Sequence, residues 1–229
     1  MTRTRTIMAT AAALAAATGI TIAVIPHGTH HMTSTAAPPP PTSAPVSPVI
    51  PAPDLSGLRW VTTDGYSVPV STQAGPRITS GGLASGFADD PLGALVASVN
   101  IAVRTAWEFG PQVFQPTIQD QVTGPYEPEM LSSDLDAYAS GASELPDIQA
   151  YARVVAYQWV GYTPSDATVD LVTAGPGEDG STAYAATQIE AQWLNGDWRV
   201  VAPPGGDWGN SSAQVGSVSG YITFPGQGG

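Results

Sequence analysis

GFADDPLGALVASVNIAVRTAWEFG, residues Gly86 to Gly110, carries the pattern from which the architecture follows. Its spacing predicts one long helix. Asp90 is positioned to cap the N-terminus, and Pro91 falls at the first helical position, where a missing N–H costs nothing. Gly110 followed by Pro111 supplies the stop. At about 100° per residue, Leu92, Leu95, Val96, Val99, Ala102, Val103, Ala106 and Trp107 share one broad apolar stripe. Gly93, Ala94, Ala97 and Ser98 on the other side are small enough for a second element to pack closely. Arg104 and Glu108 fall off the stripe. This is a core helix without a catalytic signature.

Toward the C-terminus, Val113, Phe114, Ile118 and Val122 suggest a shorter second helix, broken or restarted at Pro116-Thr117 and ended by Gly124-Pro125. Pro128 to Ser140 predicts a third, with Leu131, Leu135 and Tyr138 at 3–4 spacing. From Ala150 the period changes to two. Tyr151, Val155, Tyr157 and Trp159 form one face of a long strand, and Ala152, Val154, Ala156 and Val160 the other. Ala167 to Thr173 and Thr182 to Leu194 predict two more strands. In the latter Ala183, Ala185, Thr187, Ile189, Ala191 and Trp193 face in, while Gln188, Glu190 and Gln192 face out. Asn195-Gly196 predicts a two-residue type I′ hairpin that pairs Leu194 with Asp197 and Trp193 with Trp198. Val200 and Ala202 continue the Trp198 face. Val218 to Phe224 is an apolar segment suited to a last strand in a Gly-rich tail. Before the long helix, Arg59–Thr62 and Tyr66–Val70 flank Asp64-Gly65 as a hairpin, and Pro69 confines the second strand to an edge or an extended cover segment. Ser71 to Gly86 predicts a loop. Three helices followed by four antiparallel strands define an α+β domain with its helices on one face of the sheet.

The N-terminal quarter has a different character. Residues 1–6 are a short basic start, and Ile7 to Ile25 runs nineteen residues without a charge. At about 1.5 Å per residue that run spans roughly 28 Å as a helix, just enough for a bilayer core. A cleaved signal peptide is the competing reading, with Ala15-Ala16-Ala17 or Ser34-Thr35-Ala36 as cleavage site. The length favours an anchor. Under either reading Arg3 and Arg5 hold the N-terminus inside and the remainder is exported. The expected location is therefore the cell membrane, single-pass with the C-terminal domain outside, or the exterior after cleavage. Residues 26–53 are a linker. Its seventeen residues from Ala37 to Pro53 extend roughly 50 Å as polyproline II, a tether suited to carrying a domain away from a membrane. His27, His30 and His31, the only histidines, lie in this linker without a fixed second shell. Residues 54–203 are the expected folded domain and 204–229 a Gly-rich, partly docked tail.

Charge excludes several partners. From Asp54 onward five arginines stand against all nineteen acidic residues, a net charge of −14, and the chain contains no lysine. A nucleic-acid role requires a positive footprint, and this domain has the opposite. Anionic lipid repels it too, so membrane contact is expected only through the N-terminal segment. After Pro53 there is no His, Cys or Lys. A Ser-His-Asp triad, a His- or Cys-ligated zinc site and a Schiff-base lysine are excluded, and no cofactor or metal is expected. Asp134 and Asp136 lie roughly 200° apart on a helix and do not face each other. Glu178-Asp179 sits in a Gly/Pro turn. No EF-hand loop and no phosphate-binding glycine motif occurs. Trp60, Trp107, Trp159, Trp193, Trp198 and Trp208 are numerous for this size. Core packing accounts for Trp107, Trp159, Trp193 and Trp198. Trp208, in the Gly-rich tail, is the candidate contact residue.

The hairpin WLNGDWRVV, Trp193 to Val201, resembles the final hairpin of domains similar to nuclear transport factor 2, and the resemblance extends over roughly Asp90 to Pro203. It implies a cone: three N-terminal helices packed on a curved four-stranded antiparallel sheet. Gly86-Phe87-Ala88, Pro91-Leu92-Gly93-Ala94 and Val99–Arg104 resemble an uncharacterised group of exported or membrane-anchored proteins of high-GC Gram-positive bacteria, some of which accompany conjugation genes. Anchored domains of the cone fold are also similar to scaffold components of conjugation machines. These resemblances imply a non-enzymatic protein–protein scaffold in a cell-envelope assembly, with a protein partner or self-association. Enzymes of the cone fold such as ketosteroid isomerase use an Asp base with Tyr and a protonated Asp as oxyanion donors. That leaves open a small-molecule-binding or isomerase-like domain, for which Tyr157, Tyr162, Asp170 and Tyr184 are the candidate residues. A freely secreted protein is the third reading.

Overall fold

The computed structural model of the chain describes residues 50, 52–63, 65–141, 153–177 and 180–227. The apolar run 7–25, the three histidines, most of the proline-rich tether, Asp64, Tyr151, Ala152 and the Glu178-Asp179 pair lie outside the described residues.

Helix α1 (Pro91–Arg104) is the centre of the molecule, and every residue from Leu92 to Arg104 is buried. Asp90 caps it as expected, its carboxylate accepting from the Gly93 N–H at 2.7 Å. One face packs on the sheet, and another meets the second strand of a hairpin of β1 (Arg59–Thr63) and β2 (Tyr66–Val70). Asn100 ties the two together, its Nδ2 donating to the Pro69 carbonyl at 2.7 Å. Gly93 is small because the preceding chain crosses there: a Cβ would sit on the Ala88 carbonyl. The helix is shorter than its sequence suggested. It ends at Arg104, and Trp107–Phe109 form a separate 3-10 turn before Gly110. That break turns Glu108 inward, so Arg104 and Glu108, expected off the apolar stripe, are both buried.

Helix α2 (Pro111–Gln121) runs unbroken through Pro116, and α3 (Glu127–Gly141) follows after a short strand, β3 (Val122–Thr123). Of α3 only Met130 is fully buried, while Leu135 is exposed despite its spacing. The long strands are β4 (Arg153–Tyr162), β5 (Asp166–Pro176) and β6 (Thr182–Leu194), joined by the hairpin to β7 (Asp197–Val201). Asn195 and Gly196 have φ of 55° and 84°, as a type I′ turn requires. Trp193 pairs with Trp198 and Leu194 with Asp197, as expected. The two indoles meet edge-on with centroids 5.4 Å apart.

The sheet overturns the expected cone of three helices on four antiparallel strands. It has seven strands in the order β3-β7-β6-β5-β4-β9, with β8 (Ser212–Val215) pairing β6 and β9 (Ile222–Thr223) closing the β4 edge. It is mixed, because β3 runs parallel to β7. The hairpin of β1 and β2 is a separate two-stranded sheet. Unequal strand lengths account for the difference. β7 reaches only Ala191–Leu194 of the thirteen-residue β6, and β8 fills the vacant edge at Tyr184–Thr187. β9 falls within the apolar segment Val218 to Phe224 expected as a last strand, whereas β3 and β8, of two and four residues, have too few positions to show a period.

β4 also departs from strict alternation. Register shifts between Val154 and Ala156 and between Trp159 and Gly161 insert bulges. Val154, Tyr157 and Trp159 consequently join the main core under the helices. Val155 and Ala156 join Val172 and Ala174 in a second cluster on the outer face, so Val155 and Tyr157 do not share a face. The tail straps that outer face through Val215, Val218 and Tyr221. It then inserts Phe224 between Trp60 and Tyr157, at centroid distances of 5.3 and 5.1 Å. The Trp60 indole N–H donates to the Pro225 carbonyl at 3.0 Å.

One residue of the β6–β7 hairpin does more than turn the chain. The Asp197 carboxylate accepts from the backbone N–H groups of Gly86 (2.7 Å) and Phe87 (3.0 Å), the segment that leads into α1. The neighbouring Trp198 indole, fully buried, donates to the Ala88 carbonyl at 2.8 Å. The hairpin thus clamps the entry of the central helix onto the sheet.

Candidate functional site

The candidate pocket residues do not converge. Tyr157 is in the main core, and burial pushes its phenol pKa up. Tyr162 lies at the end of the same face, 5.7 Å from the Trp159 ring and 6.4 Å from the Trp198 ring. Burial raises its pKa, and the carboxylates of Asp89 and Asp90 raise it further. Asp170 belongs to the opposite face, where Gln188 donates to its Oδ1 at 3.3 Å. Tyr184 packs on the outer apolar cluster. The sheet therefore separates two tyrosines from the one candidate base, and no oxyanion constellation forms among these four.

Trp208, the candidate contact residue, is largely buried. Its indole N–H donates to Thr105 Oγ1 at 3.0 Å, which fixes the tail turn to the C-terminus of α1. Gly206, at φ 72°, makes this possible, because a Cβ there would run into the Met130 backbone of α3. Thus anchored, Trp208 becomes the wall of a cleft of about 210 Å³. Pro125 and Tyr126 form one side, Val201 to Pro204 another, and Ser211 closes the end. Gln188 and Glu190, the outward residues of β6, supply its polar groups. Gln188 links the cleft to Asp170. Tyr126 is 40% exposed, an unusual setting for a large ring beside two prolines. The arrangement suits an extended or proline-containing segment held by apolar contact and a few hydrogen bonds.

A second group escaped the sequence. Glu108 is 5% exposed, and neither of its carboxylate oxygens has a hydrogen-bond partner. Asp134 on α3 is half-buried and feels the negative charges of Glu108 and of Asp207 in the tail turn. Burial first, then Glu108, then Asp207 push the Asp134 carboxyl up to about 7. Burial raises Glu108 as well. The charge that acts most on Asp134 is thus not that of Asp136 but that of Glu108, at the junction of α1 and α2. The available signal was a charged residue between two aromatics, Trp107-Glu108-Phe109, at a helix junction.

Among the described residues no group of three His, Cys, Asp or Glu side chains is arranged to hold a metal ion. Nor is any described helix long and apolar enough to cross a membrane. Comparison with known proteins finds no match among curated proteins and none among solved structures. One family profile does match, over residues 12–223, and its description names no enzymatic activity. That span covers both faces of the sheet, the cleft, Glu108 and Asp134, and the chain belongs to this family, described as a domain of unknown function (DUF8175).

Proposed function

We propose that this chain is a non-enzymatic, exported domain on a proline-rich tether, binding a protein partner or a second copy of itself within a cell-envelope assembly. The observation that carries the reading is the cleft between Tyr126 and Trp208. It is walled by aromatic and proline side chains, with Gln188 and Glu190 among its polar groups. Its volume of about 210 Å³ is smaller than the roughly 300–1,000 Å³ of sites that enclose a small molecule, and it suits part of a peptide better. The acidic domain and the tether of Ala37 to Pro53 support a position held off an anionic membrane.

Photo-crosslinking in intact cells tests the reading. A crosslinker at Tyr126 is expected to give a discrete adduct that the same probe at Ile78, an exposed apolar site outside the cleft, does not. Equal labelling from both sites, or none from Tyr126, refutes it. N-terminal sequencing of the mature protein decides anchor against release, and a start next to Ala36 rules out the anchor.

A further inference from the structure

We propose that the chain occupies its own cleft: the proline run 38–41 of the N-terminal segment lies between Tyr126 and Trp208 of the same copy, and a partner enters by displacing it. The proposal rests on reading the cleft as a peptide site and adds what controls access to it.

Ring-walled clefts favour ligands that are already shaped. Here Pro125 and Tyr126 face Pro203, Pro204 and the Trp208 indole, which its bond to Thr105 holds in place. Consecutive prolines are restricted to polyproline II before they bind, so docking costs them little conformational entropy. A proline run has no N–H and presents only carbonyl acceptors. The cleft answers with donors, the Tyr126 and Ser211 hydroxyls and the Gln188 amide. Charge selects the same segment. The domain from Asp54 onward carries a net charge of −14, and Glu190 lines the cleft, so an acidic peptide is repelled. Between Arg5 and Asp54 the chain has no Asp, Glu, Lys or Arg, and Pro38 to Pro41 is its longest run of consecutive prolines.

The length of chain before the domain is sufficient. Leu55 packs on the main core, and Trp60 packs on Phe224 beside β9, at the far edge of the sheet from β7. The cleft opens on the outer face over β6 and β7. Even from that far edge, four strand spacings of about 4.8 Å plus about 10 Å to round the sheet amount to about 29 Å. The twelve steps from Pro53 back to Pro41 reach about 37 Å at about 3.1 Å each. The run therefore arrives at the cleft with slack. A ligand joined to its site by so short a connection has a high effective concentration, which favours the cleft of its own copy over that of a neighbour.

Photo-crosslinking of the full-length protein in mild detergent tests this. A photoreactive residue replaces Tyr126 or, separately, Ser211, in an equal mixture of nitrogen-15-labelled and unlabelled copies. Mass spectrometry is expected to find both positions linked to the peptide containing prolines 38–41, with the two linked peptides carrying the same isotope. Pro38→Gly, Pro39→Gly, Pro40→Gly and Pro41→Gly together lie outside the folded domain and are expected to weaken the link about tenfold or more. Links that pair the two isotopes overturn the proposal, because the occupant is then a second copy. Links to another segment, no link, or a link unchanged by the glycines also overturn it. In cells, an adduct of Tyr126 with a different protein is expected to increase in the glycine variant. Such an adduct at an unchanged level overturns the proposal and leaves the cleft as a partner site. No cellular adduct in either form, with the same-copy link present in the purified protein, overturns the partner reading and leaves the proposed occupant in place.

Discussion

Replacing Asp197 with alanine probes the joint on which the fold depends. The carboxylate accepts from Gly86 N–H at 2.7 Å and Phe87 N–H at 3.0 Å, across more than a hundred residues of chain. It also accepts from Trp198 N–H at 3.0 Å, a local bond within its own hairpin. Hydrogen bonds to a charged group contribute about 1.5–3 kcal/mol each. Asp197 and Gly86 are half-buried, so water relieves part of the loss, whereas Phe87 is 2% exposed. Asp197→Ala is therefore expected to cost about 2–4 kcal/mol. Asp197→Asn keeps one acceptor oxygen and sets an amide donor against the other N–H, so about 1–2 kcal/mol is expected. Urea denaturation followed by tryptophan fluorescence measures both, and a melting temperature lower by about 5–10 °C accompanies the alanine change. Trp198→Phe, which unpairs the Ala88 carbonyl on the same segment, is expected to be non-additive with it. An alanine variant within about 0.5 kcal/mol of wild type refutes the clamp, because Gly86 and Phe87 are then satisfied without it.

Gly93→Ala drives a Cβ into the Ala88 carbonyl and is expected to cost about 3 kcal/mol or more; a urea midpoint near wild type refutes the close crossing. Stability is also expected to depend on pH through Glu108 and Asp134. Both carboxyls are raised in the folded chain, so their stabilising contribution is complete below the unfolded carboxylate range and is lost as pH rises above it, through about 7 for Asp134. Urea midpoints taken across that interval should fall in wild type and flatten in Asp134→Asn.

The candidate site was legible only in parts. Trp208 was marked by its place among glycines, yet its role as an anchored wall depends on Thr105, which lies 103 positions earlier. Tyr157, Tyr162, Asp170 and Tyr184 are suitable residue types for a pocket. β5 and β6 carry Asp170 and Tyr184 outward while β4 carries both other tyrosines inward. Parity along β4 is set by two bulges, and a bulge leaves no mark in a run of apolar residues.

Elements with local signals could be read directly from the residues. Asp90-Pro91 starts α1, the period-two run from Thr182 makes β6, and Asn195-Gly196 sets the register of the two tryptophans. Each depends on dihedral preferences or side-chain spacing within a few residues. The remainder was settled by packing. Whether the sheet stops at four strands or reaches seven depends on which edges remain open once the long strands have paired. Whether Asp197 faces water or clamps α1, and whether Glu108 is exposed or buried, depends on chain brought from far away. Burial and pairing between distant segments leave no period in the sequence, because the free energy that selects them exists only after the chain has folded.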